Sequence, residues 1–95
     1  MSSFPPPGAV LERGSGPALL FLHGYPLHRA MWMPQLTGLS DQYRVALLDL
    51  PGYGTSAAAA VPDTLSGFAE AVRAVVEGVF QGRATIVGHS FGGYV

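Results

Sequence analysis

Apolar residues gather into three short runs without charge, at Ala18–Leu22, Val45–Leu48 and Ala84–Val87. Unbroken runs of this length, with no polar alternation, are the pattern of strands covered on both faces. A different period separates the second run from the third. Leu65, Phe68, Ala69, Val72, Val75, Val76 and Val79 repeat at helical spacing, which predicts an amphipathic helix over 63–80. Pro62-Asp63-Thr64 offers a breaker and a cap before it, and Gly82 a stop after it. A shorter helix fits Met31 to Leu39, with Pro34 tolerable only in its first turn. Val10-Leu11-Glu12 reads as a short strand closed by the turn Gly14-Ser15-Gly16-Pro17. Residues 1–8, with Pro5-Pro6-Pro7, read as an extended tail. Ala57–Ala60 read as loop. Strand, helix, strand, helix, strand with short connections predicts an α/β fold: a mostly parallel sheet, right-handed crossovers and flanking helices.

Composition sharpens that picture. Charged residues make up 12% of the 95, about half the usual share of roughly 25%. That balance suits doubly covered strands and suits a free-standing small domain poorly. The five basic residues are scattered arginines and the net charge is −1, so nucleic acid is not an expected partner. The absence of cysteine removes disulfides, thiolate catalysis and thiolate metal sites. The N-terminus lacks the basic and apolar segments of a secretory signal, and no apolar run approaches the ~20 residues of a membrane span. The expectation is a soluble, cytoplasmic protein with no membrane partner.

The chemistry concentrates at strand ends. Gly88-His89-Ser90-Phe91-Gly92 directly follows the third run. Gly-x-Ser-x-Gly after a strand is the signature of a nucleophile elbow, a strained turn that holds a serine hydroxyl clear of the backbone. Side chains at 88 and 92 are expected to collide in such a turn, which explains both glycines, and Gly93 lets the next helix approach the sheet. In this architecture the base and the orienting acid follow the serine in chain order, and only Phe91 to Val95 follow here. A second motif, His23-Gly24-Tyr25-Pro26, ends the first run, and a third, Asp49-Leu50-Pro51-Gly52-Tyr53-Gly54, ends the second. That edge of an open α/β sheet is where ligands bind.

With these three motifs in order, the stretch from Gly14 to Val95 resembles the α/β-hydrolase fold family, in its serine esterase, lactonase and perhydrolase-like branch. The resemblance implies that residues 1–95 form the N-terminal half of a three-layer domain, truncated after the elbow, with the family's first strand reduced or absent. It implies hydrolysis of small carboxylic esters or lactones through an acyl-Ser90 intermediate, with no metal or other cofactor. The backbone N–H groups of Tyr25 and Phe91 would form the oxyanion hole, each donor contributing about 2.7–4 kcal/mol in the transition state. Phe91 would also open the next helix, whose dipole favours negative charge. Serine at 90 departs from the dehalogenase branch, which carries aspartate there. His23 and Gly24 are expected to support the oxyanion loop, Gly88 and Gly92 the elbow, and His89 to be a packing or pocket residue. His28 is expected at the surface. Asp49 follows a strand, yet the family's acid comes after the elbow, so Asp49 is expected to hold its own turn. Trp32, Met31, Tyr25 and Phe91 are candidates for pocket or core. The 95 residues alone are expected to be inactive, and to aggregate through the open strand edge at 84–87 until a C-terminal half complements them.

Two other readings come from different classes. Gly52-x-Gly54-x-x-Ala57 formally fits a dinucleotide-binding fingerprint, but Pro51 separates it from the strand and Pro62 stops any helix it might open. A non-catalytic truncated product or binding module is consistent with the same residues.

Overall fold

A computed structural model describes residues 5, 8–24, 28–57, 61–62, 64–89, 92 and 95. The order of elements is β1 (Val10–Arg13), β2 (Ala18–Leu22), a 3-10 turn at Arg29–Trp32 leading into α1 (Met33–Leu39), β3 (Arg44–Leu48), a 3-10 turn at Gly54–Ser56, α2 (Leu65–Phe80) and β4 (Thr85–Gly88). The sheet runs β1-β3-β2-β4. β2 pairs in parallel with both β3 and β4, while β1 pairs antiparallel with β3, from Val10 opposite Leu48 to Arg13 opposite Val45. The first strand, expected to be reduced or absent, is thus a four-residue strand.

Alternation along β2 and β3 builds two cores. Leu20, Leu22, Ala46 and Leu48 face one side, where Phe68, Val72, Val75 and Phe80 of α2 cover them. Phe21, Val45 and Leu47 face the other, against Leu36 of α1 and the partly buried Trp32. The result is a three-layer α/β/α arrangement. Each fully buried Leu, Val or Phe contributes about 1.5–3 kcal/mol, so the central strands dominate the fold's stability.

α2 begins at Leu65 because the extended Thr64 caps it, its Oγ1 accepting the Gly67 N–H at 3.0 Å. The helix stops one residue earlier than glycine alone would require. Gln81 already adopts a left-handed φ of 52°, and Gly82 returns its N–H to the Val76 carbonyl at 2.9 Å. β4 is shifted one residue from the apolar run and is largely exposed rather than buried, Ile86 being 49% accessible. Composition suits this strand to a covered position, but burial is set by neighbours, and among the described residues β4 is bonded only to β2. An apolar groove of about 250 Å³ runs beside it, lined by Leu22, Val72, Val76 and Ile86.

No helix among the described residues is long and apolar enough to cross a membrane. Among the described residues no α-helix opens on Gly52-x-Gly54-x-x-Ala57; Gly54–Ser56 form the 3-10 turn, and α2 starts at Leu65. The expected extended tail lies mostly outside the described residues, as do Ala58–Ala60.

Candidate active site

Parallel pairing brings the three motifs to one edge. Leu22 lies opposite Leu48 on one side and Gly88 on the other. His23, Asp49 and His89, each the first residue past its strand, therefore leave the sheet at the same level.

The turns after β2 and β4 touch. His89 donates its N–H to the Leu22 carbonyl at 3.2 Å, and Gly92 donates to the His89 carbonyl at 3.0 Å. A Cβ on Gly92 would stand 2.5 Å from the His23 oxygen and 2.6 Å from the Leu22 oxygen. Glycine is needed at 92, but the nearest atoms are these strand-end carbonyls rather than Gly88, because Gly92 lies across the end of the neighbouring strand. Ser90, Phe91 and Tyr25 lie outside the described residues, as does Gly93. His23, Gly24, Gly88, His89 and Gly92 are the described members of the expected site.

His23 is fully buried. The Leu50 N–H donates to its Nε2 at 3.0 Å, which leaves the ring proton on Nδ1, 3.1 Å from the Gly24 carbonyl oxygen. The Tyr53 ring meets it edge-on at 5.0 Å. Burial lowers the His23 pKa, against the opposing effects of the Gly24 carbonyl and the Asp49 charge. The neutral ring has its one lone pair engaged, so in this arrangement it accepts no proton from a neighbouring hydroxyl.

Asp49 is equally buried. Its Oδ1 accepts the Arg29 backbone N–H at 2.7 Å, and its Oδ2 accepts the Thr55 N–H at 2.9 Å and the Thr55 hydroxyl at 2.7 Å. The Arg29 guanidinium stands 3.5 Å away. Burial alone would raise this carboxyl's pKa, but the Thr55 hydroxyl, the Arg29 and Thr55 amides and the Arg29 charge together hold it below the usual range. A Cβ on Gly54 would sit 2.5 Å from Oδ2, so the carboxylate fits only over a glycine. Ser56 is buried too, its hydroxyl donating to the Asp49 carbonyl at 2.7 Å.

The sequence reading did not single out Arg29, Thr55 and Ser56. Hydroxyl residues just after a Gly-x-Gly turn are a signal that could have found the last two. Arg29 had none, because its part is played by a backbone amide. Trp32 packs on Phe21 at 4.9 Å and meets the His89 ring edge-on at 6.4 Å, which places it between core and site. His28 is exposed, its Nδ1 accepting the Ala30 N–H at 3.3 Å. Among the described residues no cluster of three or more His, Asp or Glu side chains could hold a metal ion.

A three-layer α/β sheet with crowded turns after adjacent parallel strands, seated on a buried polar loop, defines the architectural class of the α/β hydrolases. Residues 17–95 match the family described as alpha/beta hydrolase fold, and the chain belongs to that family. It is 39% identical over 88 residues to the pimeloyl-[acyl-carrier protein] methyl ester esterase of Aeromonas hydrophila, covering 92% of this chain and 33% of the esterase. Among solved structures, an N-acyl homoserine lactonase complexed with N-butanoyl homoserine superposes with a TM-score of 0.82 at 37% identity, covering 90% of this chain and 33% of that one. An epoxide hydrolase of Vigna radiata superposes with a TM-score of 0.73 at 32% identity, covering 87% and 28%. The chain spans between 28% and 33% of the length of these three relatives.

Proposed function

We propose that this chain is the nucleophile-bearing part of a serine hydrolase that cleaves small carboxylic esters or lactones through an acyl-Ser90 intermediate. The observation that carries the reading is the contact of Gly92 with the Leu22 and His23 carbonyls. It supports a Gly-x-Ser-x-Gly turn that lies against the start of the His23-Gly24-Tyr25-Pro26 loop, where a nucleophile and two amide donors need to converge. In the proposed reaction the Ser90 oxygen attacks the substrate carbonyl and gives its proton to a base. The Phe91 and Tyr25 amides stabilise the oxyanion. The alkoxide leaves with a proton, and water then attacks the acyl-serine by the reverse path. For a lactone the leaving alkoxide stays tethered to the acyl group. The likeness to epoxide hydrolases concerns the fold; a hydroxyl at 90 is what directs the reading to acyl transfer.

His23 is not the base in this scheme, since its lone pair is held by the Leu50 amide. The base and acid follow the elbow in chain order, as the family pattern implies, and a C-terminal half would supply them. A fluorophosphonate probe tests the reading in the protein expressed from its complete coding frame. Ser90 is expected to be labelled, and Ser90→Ala to abolish labelling and ester turnover. Turnover that survives the substitution would move the chemistry elsewhere.

A further inference from the structure

The five residues between His23 and Arg29 include Tyr25, whose amide is assigned to the oxyanion hole above. Both ends of this segment are tied to the same two consecutive residues. At its start, His23 Nε2 accepts the Leu50 N–H at 3.0 Å. At its end, the Arg29 N–H donates to Asp49 Oδ1 at 2.7 Å. Twenty or more residues of sequence separate the partners of each bond, so neither is a local turn contact.

From this geometry we infer that Asp49 is a positioning residue for the oxyanion loop, acting through the Arg29 backbone amide. The inference rests on the serine-hydrolase reading and assigns Asp49 a part beyond holding its own turn. The carboxylate is suited to it. Thr55 holds Oδ2 through two bonds, with the Arg29 guanidinium 3.5 Å from the same oxygen, while Oδ1 accepts the Arg29 amide, so the turn fixes the acceptor before the loop meets it. Ser56, on the Asp49 carbonyl, and Gly54, beneath the carboxylate, remove its remaining freedom. An oxyanion donor displaced by a fraction of an ångström loses most of its effect, because its advantage lies in needing no reorganisation. A loop anchored at both ends on one rigid turn meets that requirement.

The Arg29 amide can be removed without removing the turn. Arg29 is the first residue of a 3-10 turn, and His28 before it is extended, with φ −152° and ψ 178°. Proline is tolerated at such a first position, so Arg29→Pro deletes the donor, and Arg29→Ala deletes the guanidinium while keeping the donor. In the complete protein, with p-nitrophenyl acetate as substrate, Arg29→Pro is expected to lower kcat at least tenfold with KM within about twofold. The rate of Ser90 phosphonylation should fall in parallel. Arg29→Ala is expected to lose no more than threefold.

A second pair keeps the test usable if the proline variant does not fold. Asp49→Asn retains an oxygen for the Arg29 amide but turns an NH2 toward Thr55, whereas Asp49→Ala removes both acceptors. The loss in kcat should be large for alanine and largely rescued by asparagine, with both assayed below their melting temperatures. Equal kcat for the proline and alanine variants at 29, or for the two variants at 49, would overturn the positioning role while leaving Ser90 labelling intact. Failure of Ser90 labelling in the unsubstituted protein would instead overturn the serine-hydrolase reading, and this inference with it.

Discussion

The Leu50 amide donates to His23 Nε2 at 3.0 Å, joining the residue after β2 to the residue two past the end of β3. Both partners are fully buried. The bond fixes the tautomer of the only buried histidine among the described residues and holds two of the three site loops together.

Removing the acceptor leaves a buried amide without a partner, which costs about 1–3 kcal/mol. His23→Leu is therefore expected to destabilise the complete protein by at least that amount in urea titrations. His89→Leu, at an exposed position, should change stability by less than about 0.5 kcal/mol.

The same bond predicts a pH dependence. The His23 pKa is lowered in the folded state, chiefly by burial, so below the usual value of about 6.5 the unfolded chain takes up a proton that the folded ring refuses. Its stability contribution is full above that pH and declines as pH falls from there toward the folded value. Thermal midpoints of the complete protein should drop as pH falls below about 6.5, and His23→Gln should flatten that slope. Asp49 acts lower on the scale. Its pKa is also lowered in the fold, so its contribution is present above the usual carboxylate value of about 3.9 and is lost as pH falls below it.

Glycine substitutions should divide by what surrounds them. Gly38 and Gly78 lie inside α1 and α2 with nothing within 4 Å of an added Cβ, and alanine there should stabilise by about 0.5–1 kcal/mol. At Gly92 the added carbon meets two backbone carbonyls at 2.5 and 2.6 Å, and the strand end must shift. Gly92→Ala is expected to cost about 1–3 kcal/mol and to suppress Ser90 phosphonylation. Normal labelling of a stable Gly92→Ala protein would contradict the proposed seating of the elbow.

β4 offers a test of the sheet edge. Its outer side is unpaired among the described residues, and Ile86, on the face toward α2, is 49% exposed. Unprotected edges of this kind recruit other strands. The 95 residues by themselves should therefore scatter light as associated species, and Ile86→Lys should reduce the association. A monodisperse unsubstituted chain with a cooperative melt would show that this edge is covered in some other way.

A last expectation concerns activity in the 95 residues alone. With the His23 lone pair engaged, ester hydrolysis should not exceed that of the Ser90→Ala control. Ser90-dependent turnover would assign the base to His23, His28 or His89.

Much of this protein was determined by sequence, because the signals involved are local. Uncharged runs specify strands, and the 3.6-residue stripe of α2 specifies a helix with one buried face. Gly-x-Ser-x-Gly after a strand is a local signal for a nucleophile elbow. The tertiary structure decided what depends on neighbours. β4 reads as a buried strand from composition but is exposed, since cover comes from adjacent elements and not from the strand itself. The carbonyls that force glycine at 92 belong to Leu22 and His23, about 70 residues away in sequence, and no pattern within residues 88–92 reveals them. Arg29 enters through its amide, and every residue except proline carries one. The join between residues 49–50 and the loop after β2 therefore became visible only when parallel pairing brought Leu22 and Leu48 side by side.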